Sequence, residues 1–226
     1  MVDLTPYINM TAIGNVFDAM YEARETPRTW LGLSEVGNPC MRYLWYRHHG
    51  FSMVSTPGQT LRLFNLGNVL EDHIVEDLRA AGYRVSCQQR TVEFSDNGTT
   101  LRGHIDGIIE NLPESSKPHL LEIKTAGEKS FKELLKAKSY EKWNPKYKGQ
   151  IHVYMTGLKL HRCLVVVYNK NTSEIYSERI KIDKQYAVDL LCDVFAAIQQ
   201  PAPPERLCPN AAWYLAKWCG YYKECF

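Results

Sequence analysis

The sequence predicts a mixed α/β domain with helical additions at both ends, and three observations predict it. Leu63, Leu66, Val69, Leu70, Ile74 and Leu78 recur at the 3.6-residue spacing of an amphipathic helix. Short apolar runs bounded by turn residues follow it, as strands do. Helical patterns then interrupt those runs, so the order reads helix, a group of strands, helix, two strands, helix, the alternation of an α/β protein.

In chain order, residues 1–30 are mixed, with a helix expected around Val16–Arg24 and Pro27 closing it. "LSEVGNPCMRYLWYRHHG" gives Ser34 as a helix cap, a turn at Gly37–Pro39 and an aromatic-rich helix over Met41–His48. The long amphipathic helix ends where Gly82 offers a C-cap. Strands are expected at Tyr83–Arg90, at Thr91–Phe94 and, after the turn "SDNG", at Leu101–Glu110, with a further one at "HLLEIKT". Lys129–Lys138 is helical in pattern, and "YKGQIHVYMTGL" begins another helix. "RCLVVVYNK" and "EIYSERIKI" read as a strand pair around "NKNTS". Lys184–Gln199 is a last helix, ended by "PAPPE", and Arg206–Phe226 is a short aromatic tail. These divisions give an N-terminal helical segment over 1–60, a core over 61–200 and a tail over 201–226 packing back on the first segment.

With 45% apolar and 23% charged residues there is ample material for a core. The net charge of +2 neither selects nor excludes nucleic acid, so local charge must decide. No run of about 18 apolar residues is present, so no membrane span is expected. The N-terminus carries early acids and lacks a basic region followed by an apolar one, which argues for a cytoplasmic protein without a secretory signal. In a reducing compartment the seven cysteines, an odd number, read as metal ligands plus spectators. Cys87, Cys163 and Cys192 lie inside apolar runs and are expected to fill the core.

Two runs carry charges where strands should be apolar. Asp106 interrupts "LRGHIDGIIE", and Glu122 and Lys124 interrupt "HLLEIKT". Buried charges are costly unless paired or bound to a metal. Residues two apart on a strand share a face, so Glu122 and Lys124 point together while Ile123 faces the core. If the two strands pair, Asp106 and Glu122 converge and repel unless a cation lies between them. A hard ion such as Mg²⁺ takes such oxygens, and Lys124 then stands ready to stabilise an attacking hydroxide or the charge on a phosphate.

This "HID … EIK" arrangement resembles the PD-(D/E)XK nuclease superfamily, although Ile105 stands where the name-giving proline would be. Gln150 and Tyr154 in "GQIHVY", at i and i+4 on one helical face, are similar to the QxxxY motif of RecB-like and phage-type exonucleases. "LGNVLEDHIVEDL" looks like the first motif of that family, with Glu71 four residues after Gly67 and His73 as the weaker match. The resemblance implies a restriction-endonuclease-like mixed sheet flanked by helices. It implies Mg²⁺ or Mn²⁺ held by Asp106, Glu122, the Ile123 carbonyl and Glu71, catalysis with Lys124, and strand positioning by Gln150 and Tyr154. The activity implied is a DNA exonuclease of phage or mobile-element recombination, acting on single strands or duplex ends in a bacterial cytoplasm, with a recombination annealing protein as a partner.

Cys219 and Cys225 near the C-terminus, with Cys40 before the core, resemble the subgroup that includes the CRISPR-adaptation exonucleases and AddB-type nucleases. There an early cysteine joins C-x2-C-x5-C to hold a [4Fe–4S] cluster. Here Ala216 occupies the first position of the triplet, and Cys208 restores a set of four thiolates, which would suit either Fe–S or Zn²⁺.

Between Lys124 and Lys148 eight lysines face three acids, with Tyr140, Trp143 and Tyr147 interleaved. Lysines neutralise phosphates and aromatics stack on unpaired bases, so Lys129, Lys132, Lys136, Trp143, Lys146, Tyr147 and Lys148 are expected to line a DNA track. Arg42, Arg47, His48 and His49 are expected to add to that groove. The competing reading is a non-catalytic DNA-binding or assembly module on the same scaffold, which the near-neutral charge and the irregular cysteine set favour.

Overall fold

The computed structural model describes residues 10–226 except 27, 29 and 114, so the expected closure at Pro27 lies outside the described residues. Helix α1 (Met10–Arg24) lies along α3 (Gly58–Ala80). Glu22 accepts the Gly58 N–H at 2.7 Å, and Arg62 pairs with Asp18. Between them come a 3₁₀ turn at Leu33–Glu35 and α2 (Met41–His48). Ser34 falls inside that 3₁₀ turn, which Gly32 caps, and so is not the helix cap that local chemistry suggested. Helix α3 ends as expected, with Gly82 at φ +92°, a conformation without steric cost for glycine.

The main sheet has five strands: β1 (Arg84–Ser86), β4 (Gly107–Glu110), β5 (His119–Ala126), β6 (Arg162–Asn169) and β7 (Ile175–Lys181), in that spatial order. β2 (Thr91–Asp96) and β3 (Thr99–His104) form a separate hairpin. β5 and β6 run parallel, and α4 (Glu128–Ala137), α5 (Tyr140–Trp143) and α6 (Pro145–Leu158) supply the crossover that parallel neighbours need. The other pairings in this sheet are antiparallel.

Leu101–Glu110 is not one strand: it breaks at Ile105–Asp106, the first half pairing with β2 and the second with β1 and β5. Tyr83–Arg90 shrinks to Arg84–Ser86, because Cys87 and Gln89 turn to φ +56° and the chain is clipped to Ile105 instead. Ile105 accepts the Gln89 N–H at 2.9 Å and donates its own N–H to Arg90 at 3.1 Å.

Apolar alternation sorts the sheet into two faces. Leu120, Val165 and Val167 join Ile151, Met155, Val194 and Ile198 in a large core under α6 and α7 (Lys184–Ile198). Leu121, Ile123 and Val166 meet Ile74 and Val75 of α3 on the other face. Of the three cysteines expected in the core, Cys163 is buried, whereas Cys87 and Cys192 are exposed, since their runs end in a turn and on an outward helix face.

The tail, with α8 (Tyr214–Lys217) and α9 (Tyr222–Cys225), packs on α2. Tyr221 is buried against Trp45 and Tyr46; Tyr46 donates its hydroxyl to the Glu224 carbonyl at 2.9 Å, and Trp45 its indole N–H to Gln200 at 2.9 Å. Arg42 donates to the Pro204 carbonyl at 2.5 Å, so it ties the tail down rather than lining a DNA groove. No helix among the described residues is long and apolar enough to cross a membrane.

Candidate active site

The break before β4 creates the site. β4 pairs with β5 from His119 to Leu121 and no further, so the C-terminal half of β5 loses that neighbour. Asp106 stands at the break, and its Oδ2 accepts the Ile123 N–H at 2.7 Å, taking the place of the missing ladder bond. Glu122 and Lys124 project together from this freed stretch, and the Lys124 ammonium pairs with Glu122. Glu122 is fully buried. Among the described residues no well-aligned hydrogen-bond donor reaches either of its oxygens, the lysine contact being an ion pair.

The electrostatics reflect that crowding. Burial pushes Glu122 up to about 8, with Asp106 adding to the rise and Lys124 opposing it. Burial likewise raises Asp106 against the pull of Lys124 and the Ile123 N–H. For Lys124 burial acts downward, but Glu122 and Asp106 outweigh it and hold the ammonium above the usual lysine range. Glu71 on α3 is pushed up to about 7 by burial and then by Asp106, and accepts from Gln89 at 3.3 Å. His73 turns instead to Asp77, 3.7 Å away on the solvent side of the helix. Three carboxylates thus share one ammonium.

Gln150 and Tyr154 are both buried on α6. Burial and then Glu122 raise the Tyr154 phenol far above its usual range, so it stands within the field of the acids. Its hydroxyl fits because Gly103 has no side chain: a Cβ there would lie 2.5 Å from that oxygen. A second charged group lies nearby, with no sign of it in the sequence. Glu35 is buried, pairs with Arg28 and with Arg47 at 3.4 Å, and accepts from Tyr43 at 3.2 Å. Burial lowers Lys146, and Arg28, Lys124 and Arg47 lower it further while Glu35 opposes them. Arg28 and Glu35 sit in loop sequence without periodicity, and no local signal marks them.

The lysine-rich stretch divides. Lys129, Lys132 and Lys136 are exposed on α4, with Lys132 bonded to Glu128 at 2.5 Å. Lys148 lies 4.2 Å from the Tyr186 ring centre, and Lys124 5.4 Å from that of Tyr147. Tyr140 is fully buried and stacks on Tyr147, with Trp143 against both, so this aromatic trio packs inward and Tyr140 is not available to a base. His49 stacks on Trp45.

A divalent ion would suit the chemistry of the acids, since two buried carboxylates with spare lone pairs beside the Ile123 backbone are the oxygen donors a hard cation takes. The cysteines fit less well. Cys40, Cys208, Cys219 and Cys225 gather where the tail meets α2, all partly buried, and burial followed by neighbouring thiols raises Cys208 and Cys219. Among the described residues neither the acids nor the thiols include three His, Cys, Asp or Glu side chains set to hold one ion as they stand.

No family model and no curated protein matches the sequence. Solved structures do. The crystal structure of SSO0001 superposes with a TM-score of 0.54 at 15% identity, over 94% of this chain and 96% of that one. The alkaline exonuclease LHK-Exo from Laribacter hongkongensis gives 0.51 at 16% identity, over 79% and 89%. Its complex with dAMP gives 0.52 at 17%, over 80% and 89%. The chain shares its fold with an alkaline exonuclease.

Proposed function

We propose that the chain is a Mg²⁺- or Mn²⁺-dependent DNA exonuclease. The observation that carries this is the notch at the freed edge of β5, where Asp106 and buried Glu122 meet beside Lys124. Asp106, Glu122 and the Ile123 carbonyl would hold the ion, with Glu71 completing the set. When bound, such an ion lowers the pKa of water and offsets charge on the scissile phosphate. Lys124, held protonated by its acidic neighbours, orients the incoming water and donates hydrogen bonds to the phosphate oxygen where charge builds. Gln150 and Tyr154 position the strand, and Arg28, Arg47 and Lys146 offer it cationic groups beyond what Glu35 neutralises. The solvent-facing lysines of α4 steer DNA toward the notch. The setting is phage or mobile-element recombination, with single strands or duplex ends as substrate and an annealing protein as partner.

The finer arrangement belongs to the same proposal. Residues 61–200 form the nuclease core, and 1–60 and 201–226 clasp it through a four-thiolate site of Cys40, Cys208, Cys219 and Cys225, carrying a [4Fe–4S] cluster or Zn²⁺. The convergence of those thiols supports it. No catalytic step passes through them.

End-labelled single- and double-stranded DNA incubated with Mg²⁺, Mn²⁺ or EDTA tests the activity. Metal-dependent release of nucleotides from an end is expected. Binding without any metal-dependent product would mean a non-catalytic module.

A further inference from the structure

Four cations and a histidine gather at the end of the sheet opposite the lysine-rich helices. Lys117 enters β5, Lys159 and His161 join α6 to β6, Arg162 opens β6 and Lys181 closes β7; all are exposed. With Leu160 they line a cleft of about 310 Å³. Among the described residues no Asp or Glu lines it, and none forms an ion pair with these five.

The fold places these charges at some cost. Arg162 and Lys181 are directly opposite on antiparallel strands, and like charges so placed destabilise a sheet. Lys159 takes φ +57° at the helix C-cap, where Gly or Asn is favoured. A lysine there gains from the helix dipole, which accounts for one of the four cations and leaves three unexplained. In a chain of net charge +2 this concentration calls for an outside anion.

We infer that this cleft is a second contact for the phosphate backbone of DNA, separate from the catalytic notch; the choice of ligand rests on the nuclease reading. Exposed Lys and Arg groups spread over three segments suit successive phosphates better than one enclosed anion. Register sets the spacing. Leu120 is level with Cys163, so Arg162 lies about five residues before Lys124 along β5. At about 3.3 Å per residue this is about 16 Å, the rise of about five base pairs along one strand.

The test measures binding in EDTA by anisotropy of labelled duplexes shorter and longer than that span, across salt concentrations, for the wild type and the double variant Lys159→Ala/Arg162→Ala. On the longer duplex the slope of log affinity against log salt should fall by about 1.8, at 0.9 per lost phosphate contact, with the shorter duplex unaffected. Equal slopes on the longer duplex, or an equal loss on the shorter one, overturn the inference. Loss of polyglutamate binding with DNA binding intact would assign the cleft to an acidic protein and also overturn it. Relief of the Arg162–Lys181 repulsion should keep the thermal midpoint from falling; the pair Lys117→Ala/Lys181→Ala repeats the test from the other wall. Failure of the nuclease reading registers separately, as absence of metal-dependent cleavage by the wild type.

Discussion

Glu122 keeps a carboxylate out of water with one ammonium for company, and its charge state therefore couples to folding. Its folded value of about 8 lies above the ordinary 4.5. The folded chain thus holds that proton over a range where the unfolded chain has lost it, so stability is highest at low pH and falls as pH rises from about 4.5 to about 8. Glu71, pushed up to about 7, and Asp106, also raised, act in the same direction. In EDTA the thermal midpoint of the wild type should fall across this window, and Glu122→Gln should flatten the fall. Equal pH dependence in both proteins would show that Glu122 is not the strained group. Asp106→Ala, Glu122→Ala and Lys124→Ala should each abolish cleavage of end-labelled DNA while leaving circular dichroism unchanged. Full activity in any one removes it from the proposed machinery. These three residues stand out as candidates in the sequence because charge inside apolar runs is rare. Arg28 and Glu35 do not, since an ion pair between a loop and a short 3₁₀ turn leaves no period to detect.

At the scale of elements, the catalytic notch depends on where strands stop. The sequence shows Leu101–Glu110 as one run, because Ile105, Ile108 and Ile109 are as apolar as any strand interior; the break is imposed by β2, β1 and β5 competing for its two halves. The helices agree more closely: α2 spans the expected Met41–His48, and Gly82, at the expected C-cap end of α3, stands in the left-handed region. Gly103 joins these elements to the chemistry, since β3, the 3₁₀ turn and α6 meet there, with Leu33 Cβ 3.0 Å and the Tyr154 hydroxyl 2.5 Å from any added Cβ. Gly103→Ala should displace Tyr154, lower the stability by about 1–3 kcal/mol and reduce cleavage, and Tyr154→Phe in the same background should recover part of the stability. Unchanged stability and rate would show that α6 is free to move away.

Across the whole molecule, the C-terminal tail meets α2, and the aromatic seam of Trp45, Tyr46 and Tyr221 holds it there. Cysteines and aromatics in a tail too short for its own core point to such packing; the proposal that the thiols form a metal site rests on resemblance alone, with Ala216 in place of one ligand. If a cluster is bound, purified protein should be brown with absorbance near 400 nm, and Cys219→Ser should lose both; a colourless protein with stoichiometric zinc would indicate the other metal. The account stands or falls, however, on the cation between two acids. Calorimetric titration of Mn²⁺ into the intact protein at about pH 8, where Glu122 is half ionised, tests this most directly. The account predicts saturable binding by the wild type that Glu122→Gln and Asp106→Asn each abolish, and equal binding by all three proteins would contradict it.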